Sequence, residues 1–360
     1  MAVVLGTVAC RAALPIAYQV EPVPDVIGCR SSGCAPAQDQ VEITYLGSGG
    51  FQIGYKNAVL LTAPFFTNPP LSRVAPKPLF ILRRNGDRLS PDSSLIERLL
   101  PERANRATMI VVGHSHYDHL MDVPYILRRR TPNAVVYGSP TMRHMLMGDP
   151  ALRAQPNRVV AIAGDDVGTA ERAGTWMYNA DSTFRIMALV ADHAPNVRIG
   201  ALKATFARGA LQHDLPALPQ RASEWLVGEP LSYLIDVMEP GHASPRLRIY
   251  YQDAPNTAPL GFPPAETLAE RAVDVALLCA ATSNNVKDAP GKLLQLLQPK
   301  FVVAGHWEDF FRPQILPLKI NVATDADRFF HALATSLPVT SSWLMPMPRT
   351  TMRIDLRPAE

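Results

Sequence analysis

The stretch Gly113-His114-Ser115-His116-Tyr117-Asp118-His119 constrains this chain more than any other. It places three histidines and one carboxylate within six residues, directly after the apolar run Met109-Ile110-Val111-Val112. The run reads as a buried strand, and Gly113 as the point where the chain leaves the sheet. Residues 120–130 read as a turn into a helix, with Asp122 as its N-cap and Pro124 tolerated in the first turn. His114, His116, Asp118 and His119 therefore sit on a loop between a strand end and a helix start, and such a loop can close them around one small volume. The chain has only nine histidines in 360 residues, so composition does not account for the cluster. Packing three imidazoles beside a carboxylate without a cation needs many hydrogen-bond partners, which makes a metal site the simpler reading.

Other apolar runs end in side chains of the same kind. Phe184 to Val190 reads as a strand followed by Asp192-His193. Arg246-Leu247-Arg248-Ile249-Tyr250-Tyr251 delivers Gln252-Asp253, and Phe301-Val302-Val303-Ala304 leads to Gly305-His306. Further strands are expected at residues 41–46, 51–55, 58–62, 134–137, 231–237 and 273–278, and helices at 94–100, 141–147, 289–297 and 325–337. Strands alternating with helices give an α/β class. The glycine turn at 47–50 is followed by a strand and lacks Gly-Lys-Ser/Thr, so it reads as a hairpin and not as a phosphate loop. Two long segments rich in proline, 64–88 and 196–226, read as a pocket wall and a substrate lid. His213 and Trp225 in the second are expected at the solvent-exposed surface. His144 and His331 fall on helices with no evident chemistry.

Residues 1–40 have no clear periodicity and are treated as an extension preceding a domain over 41–360. Small residues before Cys10 resemble a lipoprotein cleavage site, but no basic segment precedes them. A truncated export signal and a surface-packed tail are the two readings, so the compartment, exported or cytoplasmic, stays open. Cys29 and Cys34 flank a short loop that a disulfide would close in an oxidising compartment. Cys279 lies in an apolar run and reads as an inert core residue. Lys and Arg total 35 against 32 Asp and Glu, too even a balance to argue for nucleic acid or a membrane surface. No run approaches the length of a transmembrane helix.

His114-x-His116-x-Asp118-His119 after an apolar strand resembles the signature of the metallo-β-lactamase fold superfamily of binuclear metallohydrolases, and the resemblance covers residues 41–350. It implies a four-layer αβ/βα sandwich with metals at the sheet edges. It also implies two divalent metal ions: His114, His116 and His193 on one, Asp118, His119 and His306 on the other, and Asp253 bridging. Ligands without thiolate suit zinc first, with manganese or iron as alternatives. The implied reaction is hydrolysis of an ester, phosphodiester, lactone or amide by a metal-bridging hydroxide, with Asp118 accepting a proton and Tyr117 assisting the leaving group. Ser115 to Leu120, with Thr62-Ala63-Pro64-Phe65-Phe66 upstream, looks similar to the branch holding N-acyl-phosphatidylethanolamine-hydrolysing phospholipase D and lactonase-like proteins. A small-molecule or lipid-like substrate would fit that branch. Two departures stand out. Ala63 replaces an Asp that helps support the metals in the family, and Asp253 lies between Gln252 and Ala254, not in Gly-Asp-Thr. The competing classes are a diiron oxidoreductase, which usually carries Glu where His116 stands, and a non-catalytic metal-binding protein of the same fold.

Overall fold

The computed structural model describes residues 26–29, 39–74, 88–199, 202–239 and 241–356. In chain order its strands are β1 (Val26–Cys29), β2 (Gln40–Gly47), β3 (Gly50–Tyr55), β4 (Ala58–Thr62), β5 (Ala107–Val111), β6 (Val135–Gly138), β7 (Val159–Ala161), β8 (Met177–Tyr178) and β9 (Phe184–Val190). They continue as β10 (Val197–Ile199), β11 (Leu202–Ala204), β12 (Leu231–Val237), β13 (Leu247–Gln252), β14 (Val275–Cys279), β15 (Phe301–Gly305), β16 (Ser342–Leu344) and β17 (Thr351–Asp355). One sheet has the order β1-β17-β2-β3-β4-β5-β6-β7, the other β16-β15-β14-β13-β12-β9-β8, and β10 and β11 form a separate hairpin.

Side-chain alternation decides how the sheets stack. Ile43, Ile53, Leu60 and Val111 of the first sheet share one core with Ile235, Ile249 and Leu277 of the second. The alternate residues Val59, Leu61, Ile110 and Val136 join a second core with Ile96, Ile126 and Met142. These last three belong to the helices Ser93–Leu99, Val123–Arg129 and Pro140–Leu146. Every residue of β14 and β15 is buried, so the second sheet is also covered on both faces. The helices Gly291–Leu297 and Ala326–Ser336 supply that cover, with Leu294 and Leu333 fully buried. The layers run helix, sheet, sheet, helix, the αβ/βα sandwich that the sequence motif implied.

Several local expectations are corrected. A strand, β1, lies within the stretch read as lacking periodicity; it pairs with β17, Val26 opposite Ile354, and a partner over three hundred residues away leaves no local signal. The Cys10 cleavage reading and the Cys29–Cys34 pairing involve residues outside those described, as does much of the 64–88 segment. Asp122 occupies the N-cap position of Val123–Arg129 without capping it. Its carboxylate instead accepts the N–H groups of Phe66 and Thr67 at 2.7 and 3.0 Å and the Thr67 hydroxyl at 2.6 Å. Trp225 is buried, not exposed, and packs in the core between the first sheet and its helices. Among the described residues no helix is long and apolar enough to cross a membrane.

A buried ion network pins three strands of the second sheet. Asp236 on β12 lies directly opposite Arg185 on β9 and Arg248 on β13. Arg248 donates to both Asp236 oxygens at 2.7 Å, and Arg185 Nε donates to Oδ2 at 2.8 Å. Glu270 closes the network from outside, and the Trp176 ring lies 4.1 Å from the Arg185 guanidinium carbon. A one-residue slip of any of these strands would turn its charge to the opposite face. Asp236→Ala leaves two buried guanidinium groups short of their shared counter-charge. It should cost about 3–5 kcal/mol in chemical denaturation; a loss below about 1 kcal/mol would show that water reaches the pair.

Candidate metal centre

Strand direction brings the predicted ligands to one edge. β13, β14 and β15 are mutually parallel, and β9 runs with them because both it and β13 are antiparallel to β12. Their C-terminal ends therefore share an edge, where His193, Asp253 and His306 follow β9, β13 and β15. From the facing sheet, β5 delivers Gly113, and the chain turns through His114 and His116 into the short helix Tyr117–Leu120 that carries Asp118 and His119. The Gly113 N–H donates to Asp253 Oδ2 at 3.0 Å. A Cβ on Gly113 would come within 2.3 Å of the Asp253 carboxylate, so no larger residue lets the two strand ends approach.

The ligating atoms fall into three sets, each within 4.8 Å: His114, His116 and His193; Asp118, His119 and His306; and His114, His119 and Asp253. Asp253 links the first two sets. Its Oδ1 lies 2.9 Å from His114 Nδ1, and its Oδ2 lies 3.3 Å from His119 Nδ1. In the second set His119 Nε2 and His306 Nε2 are 3.2 Å apart, and each is 3.4 Å from Asp118 Oδ2. In the first set His193 Nδ1 donates to the Ala194 carbonyl at 2.6 Å and His116 Nε2 to the Phe206 carbonyl at 3.1 Å. A carbonyl only accepts, so each ring presents its other nitrogen as a lone pair.

These donors fit a metal. His114 Nδ1 faces Asp253, which leaves His114 Nε2 buried without a hydrogen-bond partner, and an unpaired buried lone pair is costly. His119 Nε2 and His306 Nε2 meet beside Asp118 Oδ2 in the second set. Burial, then the neighbouring His114, holds His116 neutral with a pKa lowered to about 3. Burial and the adjacent histidines likewise take His193 well below the ordinary range. Burial opposes charge on His119, but the Asp118 and Asp253 carboxylates outweigh it and carry its pKa to about 10. Burial would raise Asp118, yet His119 and His306 hold it well below the usual carboxylate range. The first set is thus neutral and ready to ligate, and the second holds a proton that a metal must displace.

A cavity of about 430 Å³ opens above these residues. Leu71 and Val74 wall it from the 64–88 segment, Phe206, Ala222 and Ser223 from the 196–226 segment, and Phe310, Phe311 and Val322 from the stretch after His306. The 64–88 segment, read as a pocket wall, and the 196–226 segment, read as a substrate lid, both contribute lining residues. Tyr117 lines it too, and burial pushes its phenol well up, so it holds its proton. His144 stands apart, paired with Asp214 at 2.7 Å. Cys279 is buried, as expected, and also borders the cavity. Sequence reasoning missed Tyr45 and Glu308, both buried behind His306; a carboxylate two residues beyond a ligand was the available signal. His306 itself has φ +52°, a left-handed conformation that costs a non-glycine residue about 1–2 kcal/mol.

Metal loading should release protons. At pH 8, below the pKa of His119, coordination at His119 must expel its proton, and above pH 10 that release disappears. Adding Zn²⁺ to metal-free chain in weak buffer with a pH indicator should release about one proton per chain from this residue. Unchanged pH would mean that His119 is neutral before metal binds.

No family model and no curated protein matches the chain. Among solved structures it is similar to Igni18, a metallo hydrolase from the archaeon Ignicoccus hospitalis, at 17% identity over 88% of this chain and 98% of that one, with a TM-score of 0.48. It is also similar to YhfI, a metallo-β-lactamase fold protein from Bacillus subtilis, at 9% identity over 88% and 100%, with a TM-score of 0.47. A third likeness is to CmlA, a diiron β-hydroxylase from Streptomyces venezuelae, at 14% identity and a TM-score of 0.47; it covers 88% of this chain but 54% of CmlA, so this chain spans about half of that protein's length. Such remote likenesses carry no activity across. The chain's own layer order and its His-x-His-x-Asp-His loop are those that the resemblance to the metallo-β-lactamase fold implied.

Proposed function

We propose that this chain is a binuclear metal-dependent hydrolase of an ester, lactone, amide or phosphodiester bond in a substrate with an apolar portion. One observation carries the reading: two sets of ligating atoms joined by Asp253 form the floor of a cavity with apolar walls. His114, His116 and His193 would hold one ion, and Asp118, His119 and His306 the other. Zinc suits this donor set first, with manganese or iron as alternatives. When bound, two such ions supply Lewis acidity and lower the pKa of a water.

The chain's own groups divide the remaining work. Asp118, held ionised, accepts the proton of the attacking water at its carboxylate. Tyr117, which keeps its proton, donates from its hydroxyl to the leaving group. Carbonyl groups of Phe206 and Ala194 fix the tautomers of His116 and His193. Leu71, Phe206, Phe310 and Phe311 exclude water from the bond under attack and bind the apolar portion. Leu71 and Phe206 remain about 40% exposed, at 41% and 40%, and Val322 is 76% exposed, so apolar surface extends from the cavity to its rim.

A panel of bis-p-nitrophenyl phosphate, lactones, a β-lactam and a lipid phosphodiester tests the activity. Metal-dependent turnover of at least one is expected, abolished by chelator and restored by Zn²⁺ or Mn²⁺. Asp118→Asn should lower kcat/KM by about 10²- to 10⁴-fold. Turnover of none of them, by protein shown to hold two ions, would favour the non-catalytic class.

A further inference from the structure

The two sets of ligands lean on different parts of the molecule. His116 and His193 are fixed by the carbonyls of Phe206 and Ala194. His306 and His119 instead meet the turn between β2 and β3. Tyr45, fully buried near the end of β2, accepts the backbone N–H of His306 at its hydroxyl, 2.8 Å away. The same hydroxyl donates to Glu308 Oε2, and Glu308 Oε1 accepts the Ser48 N–H at 2.5 Å. Glu308 is 1% exposed, so its carboxylate is solvated only by the groups that surround it. Gln314 Nε2 adds a bond to the Leu46 carbonyl at 2.9 Å. On the next residues of the turn, a Cβ at Gly49 would lie 2.7 Å from His119 Nδ1; the turn backbone abuts the His119 ring. The Gly49 carbonyl is held in turn by the hydroxyls of Thr62 and Tyr251, each at 2.8 Å.

We propose that Tyr45 and Glu308 are positioning residues for one half of the metal centre. They clamp the left-handed His306 backbone to the 47–50 turn, so that His306 Nε2 meets His119 Nε2 and Asp118 Oδ2. The His114, His116 and His193 half has no part in this clamp. The inference rests on the two-site reading given above and adds an asymmetry to it: the two sites can be weakened separately from outside the ligand sets. Tyr45→Phe removes the hydroxyl that joins His306 to Glu308. Glu308→Gln keeps the shape but only one of the two acceptor oxygens, so it sets an NH2 donor against either the Tyr45 hydroxyl or the Ser48 N–H and removes the charge that both donors face.

The test is a titration of metal-free full chain with Zn²⁺ against a chromophoric chelator, which resolves separate binding events. His193→Ala and His306→Ala assign each event of the wild type to its half. In Tyr45→Phe and Glu308→Gln the event lost in His306→Ala should weaken by roughly 10- to 100-fold, while the event lost in His193→Ala moves by less than about twofold. A general loss of fold would instead weaken both events and lower Tm, and Glu308→Gln serves if Tyr45→Phe does not fold. Two wild-type events that shift equally, or not at all, in both variants overturn the positioning role alone. A single wild-type event overturns the two-site reading and this proposal with it.

Discussion

Gathering seven imidazole and carboxylate side chains, six buried and His193 half-buried, at one edge of a sandwich is the constraint on which the rest of the structure depends. Each group loses water on burial, and the loss is offset only where the donors converge on a common centre. Convergence demands that strands from both sheets end at the same place. The first sheet contributes His114 to His119 after β5, and the second contributes His193, Asp253 and His306 after three strands running the same way. The 2.3 Å contact that any Cβ at Gly113 would make with Asp253 shows how tightly the two sheets meet there.

The charged network of Asp236, Arg185 and Arg248 belongs to the same requirement. It lies on β9, β12 and β13, and two of these strands deliver His193 and Asp253. A strand displaced by one residue would carry its charged side chain into the core and its ligand away from the edge. Register in the body of the sheet and ligand placement at its end are thus one specification. At the far side, the Tyr45 hydroxyl of the first sheet accepts the His306 N–H, so contact between the sheets reaches that strand end as well.

The candidate site was legible in the chain because its polar clusters follow apolar runs. Met109 to Val112, Phe184 to Val190 and Phe301 to Ala304 announce buried strands, and a polar residue just after such a run stands at a sheet edge. The α/β class followed from the alternation of runs, and the αβ/βα layering was implied by the motif's resemblance alone. Asp122 was misread because its position matches an N-cap, while its carboxylate is taken up by Phe66 and Thr67 more than fifty residues earlier. Trp225 was misread because proline-rich surroundings suggest a surface loop, yet its indole fills the core beneath the helices. Among the described strands, β1 pairs with β17 at the far end of the chain.

By itself, the sequence determined which residues could ligate, which strands carry them and that the donors are imidazole and carboxylate. Those properties are local: an apolar run, a glycine that breaks it, a side chain with a lone pair. The tertiary structure places Asp253 between the two sets, where the resemblance had put it; it alone decided that Phe206 shares in both the His116 tautomer and the cavity wall, and that Tyr45 and Glu308 back His306. Each of these depends on contacts between segments far apart in the chain, and such contacts exist only once both sheets have packed.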